Sequence, residues 1–205
     1  MRVAIVGGTG PFGKALATRL RGEHGVVVGS RDAERANAVA AELGVEGAAN
    51  TDAVGAADLV ILATNADAAL ETAHDLGEAI GSRPVLCVAS ELVFSSTGVR
   101  PSPEAASLAE RIQAEISAPV VAGLHSLAAS TLGSAEPPDE DAFVCGDDSE
   151  AKALALGVAE GLIAGHAYDA GPLASARALE GMIAVAINLN KRYKGHAGIR
   201  VTGLG

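Results

Sequence analysis

The sequence predicts an α/β fold: a doubly wound, mostly parallel sheet, followed by a C-terminal extension of strands and a long helix. Three observations predict it. Short aliphatic runs alternate with Ala-rich stretches of helical period through short connections, as in parallel strands joined by crossover helices. A glycine-rich turn lies between the first aliphatic run and the first helical stretch. Aromatic residues are 2% and hydrophobic residues 49% of the 205-residue chain, so the core must be built from Ala, Val, Leu and Ile. Such side chains suit helices packed closely on a sheet that is buried on both faces.

Taken in order, strands are expected at Val3–Gly7, Val26–Gly29, Val45–Ala49, Leu59–Ala63, Val85–Ala89 and Val120–Gly123. Helices are expected between them at Phe12–Arg21, Ala33–Leu43, Ala66–Ile80 and Glu104–Ile116, with Asp52–Ala57 forming a short helical turn. Beyond Gly123, Ala135–Asp141 is polar and carries two prolines, which reads as a surface loop. Phe143–Gly146 reads as a further strand, and Asp147-Asp148 can cap a helix to about Ala164. A short strand at Ala167–Ala170 and a long helix from about Leu173 to Tyr193, stopped by Gly195, complete the pattern. With no internal repeat and no linker, residues 1–205 read as a single domain. Residues 1–123 read as a Rossmann-type core, and 124–205 as an extension of the same sheet.

The bulk properties exclude several classes. With 15 Lys and Arg against 25 Asp and Glu, the net charge is −10, which disfavours nucleic acid as a partner. The acids stop at Glu180; Lys191, Arg192, Lys194 and Arg200 follow. Two readings of that segment stand side by side: a basic last helical turn that suits the helix dipole, and a landing site for an anionic ligand. Aliphatic runs such as Leu59–Ala63 are far too short to span a bilayer, so no membrane partner is expected. Met1 leads straight into a strand, and Cys87 and Cys145 read as buried free thiols, which suits a cytoplasmic protein. No His, Cys or carboxylate cluster has metal-ligand spacing, so no metal is expected.

Gly8, Gly10 and Gly13 form a G-x-G-x-x-G pattern in the strand–turn–helix context that dinucleotide binding requires. Gly8 permits the tight turn, Gly10 lets the backbone approach a pyrophosphate, and Gly13 allows close packing of helix on strand. The helix start, over Thr9, Pro11 and Phe12, supplies partial positive charge for the anion. At the end of the second strand, Gly29 and Ser30 stand where an NAD-preferring site has its ribose-binding acid, and Arg31 follows. A hydroxyl, a guanidinium and Arg35 one turn later match the 2′-phosphate of NADP(H). Asp32 reads as the N-cap of the next helix.

Ligands of such sheets lie beyond the carboxyl ends of the strands. The tips Ala63-Thr64-Asn65, Ala89-Ser90-Glu91 and Gly123-Leu124-His125-Ser126 should therefore border a nicotinamide. Ala63, Thr64, Asn65 and Ala89 are assigned to the cofactor side and Ser90 to the acceptor side. None of the tips offers a nucleophile–base pair, whereas hydride transfer needs mainly two rings held face to face. His125 is the one titratable side chain expected to meet an acceptor there, and the only candidate for a catalytic role; a structural histidine bonded to backbone is the other reading.

With these residues in view, the chain resembles the NADPH-dependent coenzyme F420 reductases, also called F420:NADP oxidoreductases. The likeness runs nearly end to end: Gly7–Lys14, Gly29-Ser30-Arg31, Cys145–Asp148, Asp169–Leu173 with Ala176-Arg177 and Glu180, Asn190–Lys194 and Ala197–Arg200. The resemblance implies reversible hydride transfer between NADPH and C5 of the deazaflavin F420, without a metal. It implies NADP contacts from Thr9, Ser30, Arg31 and Arg35, and a deazaflavin pocket lined by His125 and Leu127. It also implies a C-terminal segment, with Arg200, that closes this pocket and faces the anionic tail of the deazaflavin, and it points to a homodimer. Two segments depart from the family pattern. Thr64–Asp67 stands where a Pro-Trp pair is usual, and Ala89–Leu92 stands where a proline-bearing turn is usual. Both lie at the expected acceptor pocket. Two alternatives therefore stand beside F420 reduction: an NADPH-dependent reductase of a flavin, metal chelate or imine, and a non-catalytic NADP(H)-binding regulatory protein.

Overall fold

A computed structural model describes residues 1–204; Gly205, the last residue of the expected domain, lies outside the described residues. The chain runs β1 (Arg2–Val6), α1 (Pro11–Leu20), β2 (Gly25–Ser30), α2 (Ala33–Leu43), β3 (Glu46–Ala49), α3 (Asn50–Gly55), β4 (Leu59–Leu62), α4 (Ala66–Ile80) and β5 (Val85–Cys87). A hairpin of β6 (Leu92–Ser95) and β7 (Gly98–Pro101) follows, then α5 (Leu108–Glu115), β8 (Val120–Gly123) and α6 (Ala129–Leu132). The last part is β9 (Ala142–Gly146), α7 (Ser149–Glu160), β10 (Ala167–Asp169), a single 3-10 turn at Leu173–Ser175, and α8 (Ala176–Tyr193).

Eight strands form one sheet in the order β10-β9-β8-β5-β4-β1-β2-β3. From β3 through β8 all neighbours are parallel, whereas β9 pairs antiparallel with β8 and β10 parallel with β9. The chain winds outward from β1 to β3, then returns to the other side of β1 for β4, β5 and β8. The reversal between β1 and β4 opens a crevice at the carboxyl edge, where such sheets take ligands.

Alternation along each strand builds two aliphatic cores. In β1, Val3 and Ile5 pack with Leu16 and Leu20 of α1 and with α7, while Ala4 and Val6 pack with α3, α4 and α5 on the opposite face. Both faces are covered, so β1 and β4 read as continuous apolar runs and not as polar–apolar alternation.

Several boundaries differ from expectation for local physical reasons. α5 starts at Leu108 and not at Glu104, because Ser107 and Glu110 form a capping box. The long helix starts at Ala176, after the 3-10 turn, and ends with Lys194 in the left-handed region (φ 53°), before Gly195. The β6–β7 hairpin lies where no strand was expected. It is held to α8 by Asn188, whose Oδ1 accepts from the Val99 N–H (2.8 Å) while its Nδ2 donates to the Val99 carbonyl (2.7 Å).

Candidate functional site

The glycine turn after β1 is shaped by close backbone approach. The Gly8 N–H donates to the Ile5 carbonyl (3.0 Å), and a Cβ on Gly8 would lie 2.8 Å from that oxygen. A Cβ on Gly13 would lie 2.5 Å from the Gly8 Cα, so these two glycines are required by the fold of the turn itself. Gly10 differs. Its Cβ would meet only the Gly7 carbonyl at 3.4 Å, so packing alone does not demand glycine there. Its place on the cleft wall, as the N-cap of α1, matches the need for a long anion to pass close to backbone. Gly7, not singled out in the sequence, adopts φ +82° and has no room for a side chain against the Ala63 carbonyl (2.7 Å).

A cleft of about 320 Å³ opens beside this turn. Its walls bring together Thr9 and Gly10 from the turn, Ser30, Arg31 and Arg35 from the β2–α2 junction, and Ala63, Thr64 and Asn65 from the end of β4. Pro11 and Phe12 line a smaller adjoining cavity with Thr64, Asn65 and Val88. Gly8 and Gly13 lie beneath the turn, where they shape it. Asp32 caps α2 through its carboxylate, accepting from the N–H groups of Glu34 (3.0 Å) and Arg35 (3.1 Å). Arg31 and Arg35 are exposed, and no ion pair engages them among the described residues. Two unpaired guanidiniums beside a serine hydroxyl give this end of the cleft groups that could bind a phosphate dianion. Asn50 and Thr72 also line this cleft. Thr72 follows Ala68 by one helical turn on the same face of α4, a spacing the sequence displays; Asn50 requires knowledge of how β3 pairs.

After β5 and β8, Ser90 and His125 meet, with Ser90 Oγ 3.2 Å from His125 Nδ1. Burial pushes the His125 imidazolium down to about 4, against the opposing pull of the Val88 carbonyl, so the ring is neutral at physiological pH. Its Nε2 is buried with no partner among the described residues. The preceding Leu124 is buried at φ 63°, a left-handed conformation that costs a non-glycine residue roughly 1–2 kcal/mol. Hydrogen bonds from the Leu124 N–H to the Phe143 carbonyl (3.2 Å) and from the Leu127 N–H to the Leu124 carbonyl (3.1 Å) hold the bend that points His125 toward Ser90. Ala89 is buried at the tip of β5. Leu127 packs in the aliphatic core that includes α1 and α7. Arg200 pairs with Asp139 and approaches Asp141 (3.7 Å), so the acceptor-side residues do not share one open cavity.

Four of the seven buried side-chain polar atoms without partners among the described residues lie near this edge, while Arg2 Nε, His24 Nδ1 and Arg111 Nε lie elsewhere. Asn50 Oδ1 follows β3, Thr64 Oγ1 follows β4, His125 Nε2 follows β8, and Glu140 Oε2 precedes the antiparallel β9. Such atoms are rare in folded proteins, and the four at this edge are the ones a polar ligand in the crevice could partner. Among the described residues no group of three His, Cys, Asp or Glu side chains could hold a metal ion, and no helix is long and apolar enough to cross a membrane.

A family model described as NADP oxidoreductase, coenzyme F420-dependent, matches residues 2–90, the part that carries the cleft. Over its full length the chain is 33% identical to the F420-dependent NADP reductase of Methanothermobacter thermautotrophicus, spanning 96% of that protein. The chain belongs to the F420-dependent NADP reductase family. A second member, from Methanocaldococcus jannaschii, is 32% identical, again over the whole chain and 99% of the relative. A crystal structure from Arthrobacter sp. FB24, described as that of a candidate F420-dependent NADP-reductase, superposes with a TM-score of 0.87 at 26% identity. It covers 99% of this chain and 100% of the other. Family likeness therefore extends past Ser90 through β8, β9, β10 and α8, and so includes His125.

Proposed function

We propose that this protein transfers hydride reversibly between NADP(H) and the deazaflavin coenzyme F420. The observation that carries the reading is the crevice at the carboxyl edge. The cleft holds Ser30, Arg31 and Arg35, and the Ser90–His125 pair follows β5 and β8 at the same sheet edge, in a chain alike along its whole length to F420-dependent NADP reductases; together these support the reading. When bound, the nicotinamide supplies the hydride, and the deazaflavin ring takes up that hydride together with one proton from solvent.

The chain's own residues bind and orient. Gly10 and the backbone of Thr9, Pro11 and Phe12 accommodate the pyrophosphate at the start of α1, and Ser30, Arg31 and Arg35 hold the 2′-phosphate. Thr64, Asn65 and Ala89 border the nicotinamide, and Thr64 Oγ1 gains a partner there. His125 stays uncharged, so its ring, held at Nδ1 by Ser90, borders the acceptor side without the cost of burying a charge. Residues 1–123 carry the dinucleotide, while 124–205, with Leu127 and Arg200, shape the acceptor side. A cytoplasmic homodimer fits the reading: Val185, Leu189 and Tyr193 form an exposed stripe along α8 at four-residue spacing, next to exposed Phe94 of the hairpin.

Mixing the purified protein with NADPH and oxidised F420 tests the reading. The visible absorbance of the oxidised deazaflavin should be lost at a rate proportional to enzyme, and be regained when NADP⁺ is added to reduced F420. No loss with F420 at saturation, alongside turnover of a flavin or imine, would replace F420 as the acceptor.

A further inference from the structure

We infer that Asn50 is a specificity-determining residue, whose neutral amide stands where a ribose-binding carboxylate would need its space and so commits the adenosine pocket to a 2′-phosphate. The inference rests on the NADP(H) reading above. Strand register supplies the placement. Gly29 pairs with Ala48 and Ser30 with Ala49, so Asn50, the first residue of α3, emerges at the carboxyl edge beside the end of β2. A Cβ at position 29 would lie 2.8 Å from Asn50 Oδ1 and 3.3 Å from the Ile5 carbonyl. An acid at 29, one of the two positions where a ribose-binding carboxylate is expected, cannot enter while Asn50 keeps its position.

The second observation is polar. Asn50 is 9% exposed, and its Oδ1 is buried with no partner among the described residues. The residue lines both the main cleft and a neighbouring cavity of about 230 Å³ bounded by Ser30, Arg31, Thr51, Thr72 and Leu76. A side chain serving only to fill space would be apolar there, since an unpaired buried amide is unfavourable. A donor on the adenosine moiety, a ribose hydroxyl or the exocyclic amine, completes it. Its neutrality matters equally: a carboxylate of the same shape would face the phosphate that Arg31 and Arg35 attract.

The test uses adenosine 2′,5′-bisphosphate and adenosine 5′-monophosphate as probes, with affinities measured by calorimetry on the whole chain. Wild-type protein should prefer the bisphosphate. Asn50→Asp should weaken the bisphosphate by about tenfold or more while changing the monophosphate by no more than about threefold, so the preference collapses. If the aspartate variant does not fold, Asn50→Ala serves. It should weaken both probes severalfold, and in its background Gly29→Asp should bind the monophosphate more tightly than Gly29→Asp alone. Preference unchanged within about twofold in Asn50→Asp, or no gain from combining Asn50→Ala with Gly29→Asp, overturns the inference while the NADP(H) reading stands. A wild-type chain with no preference for the bisphosphate overturns both.

Discussion

Arg31 and Glu180 show how single side chains divide between binding and folding. Arg31 touches nothing that the fold needs, so replacing it should cost binding and not stability. Arg31→Ala should weaken NADPH by roughly 1.5–3 kcal/mol, the value of a charge-assisted hydrogen bond, and NADH by much less. Fluorescence titration with both cofactors checks this, and equal losses would contradict the phosphate assignment. Glu180 lies on α8, buried, with Oε1 accepting from the Leu108 N–H (2.9 Å) at the start of α5. Burial pushes its carboxyl from 4.5 up to about 7, against the Leu108 N–H and Arg177, which favour the charged form. The native state therefore holds a proton that the unfolded chain has lost between those values, and stability falls as pH rises through that window. The loss amounts to about 3 kcal/mol at most by linkage. Glu180→Gln keeps the acceptor and removes the charge. It should raise stability by ~1–3 kcal/mol near pH 8 and leave it unchanged near pH 4, as read by urea denaturation. Parallel stability profiles for variant and wild type would contradict it. The glycine turn and Arg31 were legible from sequence because their meaning is local to a few consecutive residues. Asn50 and Glu180 were not, because their surroundings depend on strand register and on helix α8 meeting α5 across 72 positions.

The elements themselves show where sequence periodicity suffices. β1, β4 and β8 are fully or nearly fully buried aliphatic runs, and each was found within a residue or two of its observed span. The β6–β7 hairpin was missed because its half-exposed strands, LVFS and GVRP, form no unbroken aliphatic run, and one flank is the Pro101–Pro103 stretch. Its stability comes instead from α8, through the paired Asn188–Val99 hydrogen bonds and the Lys191 ammonium 5.4 Å from the Phe94 ring centroid. Asn188→Ala should therefore loosen the hairpin selectively. Amide exchange at residues 92–101 should speed up, with a global stability loss of about 1–3 kcal/mol. Uniform protection across the hairpin in the variant would show that α8 does not tether it. Since the hairpin grows directly from the Ala89–Ser90 tip, its tether also bears on how firmly Ser90 holds His125.

On the scale of the whole molecule, the alternation of strand and helix foretold the winding of the sheet from β3 to β8, because crossover connections leave few alternatives. The reversed direction of β9 was not foretold, since no period distinguishes an antiparallel edge pair from a parallel one. The charge imbalance is also resolved by position. Basic residues of the C-terminal segment divide, Arg200 being engaged by Asp139 and Asp141, while Lys191 covers Phe94. The exposed α8 stripe gives the proposed homodimer a direct check. Leu189→Glu in the middle of the stripe should convert a dimer to a monomer in sedimentation with the fold intact. A wild-type monomer would remove the dimer. The central claim is that one sheet edge carries hydride between two rings, and isotope transfer tests it most directly. NADPH carrying deuterium on the transferred side of nicotinamide C4 is mixed with oxidised F420 in ordinary water. The account predicts reduced F420 with the deuterium on its ring carbon. Reduced F420 carrying only solvent hydrogen, or no reduced F420 at all, would contradict it.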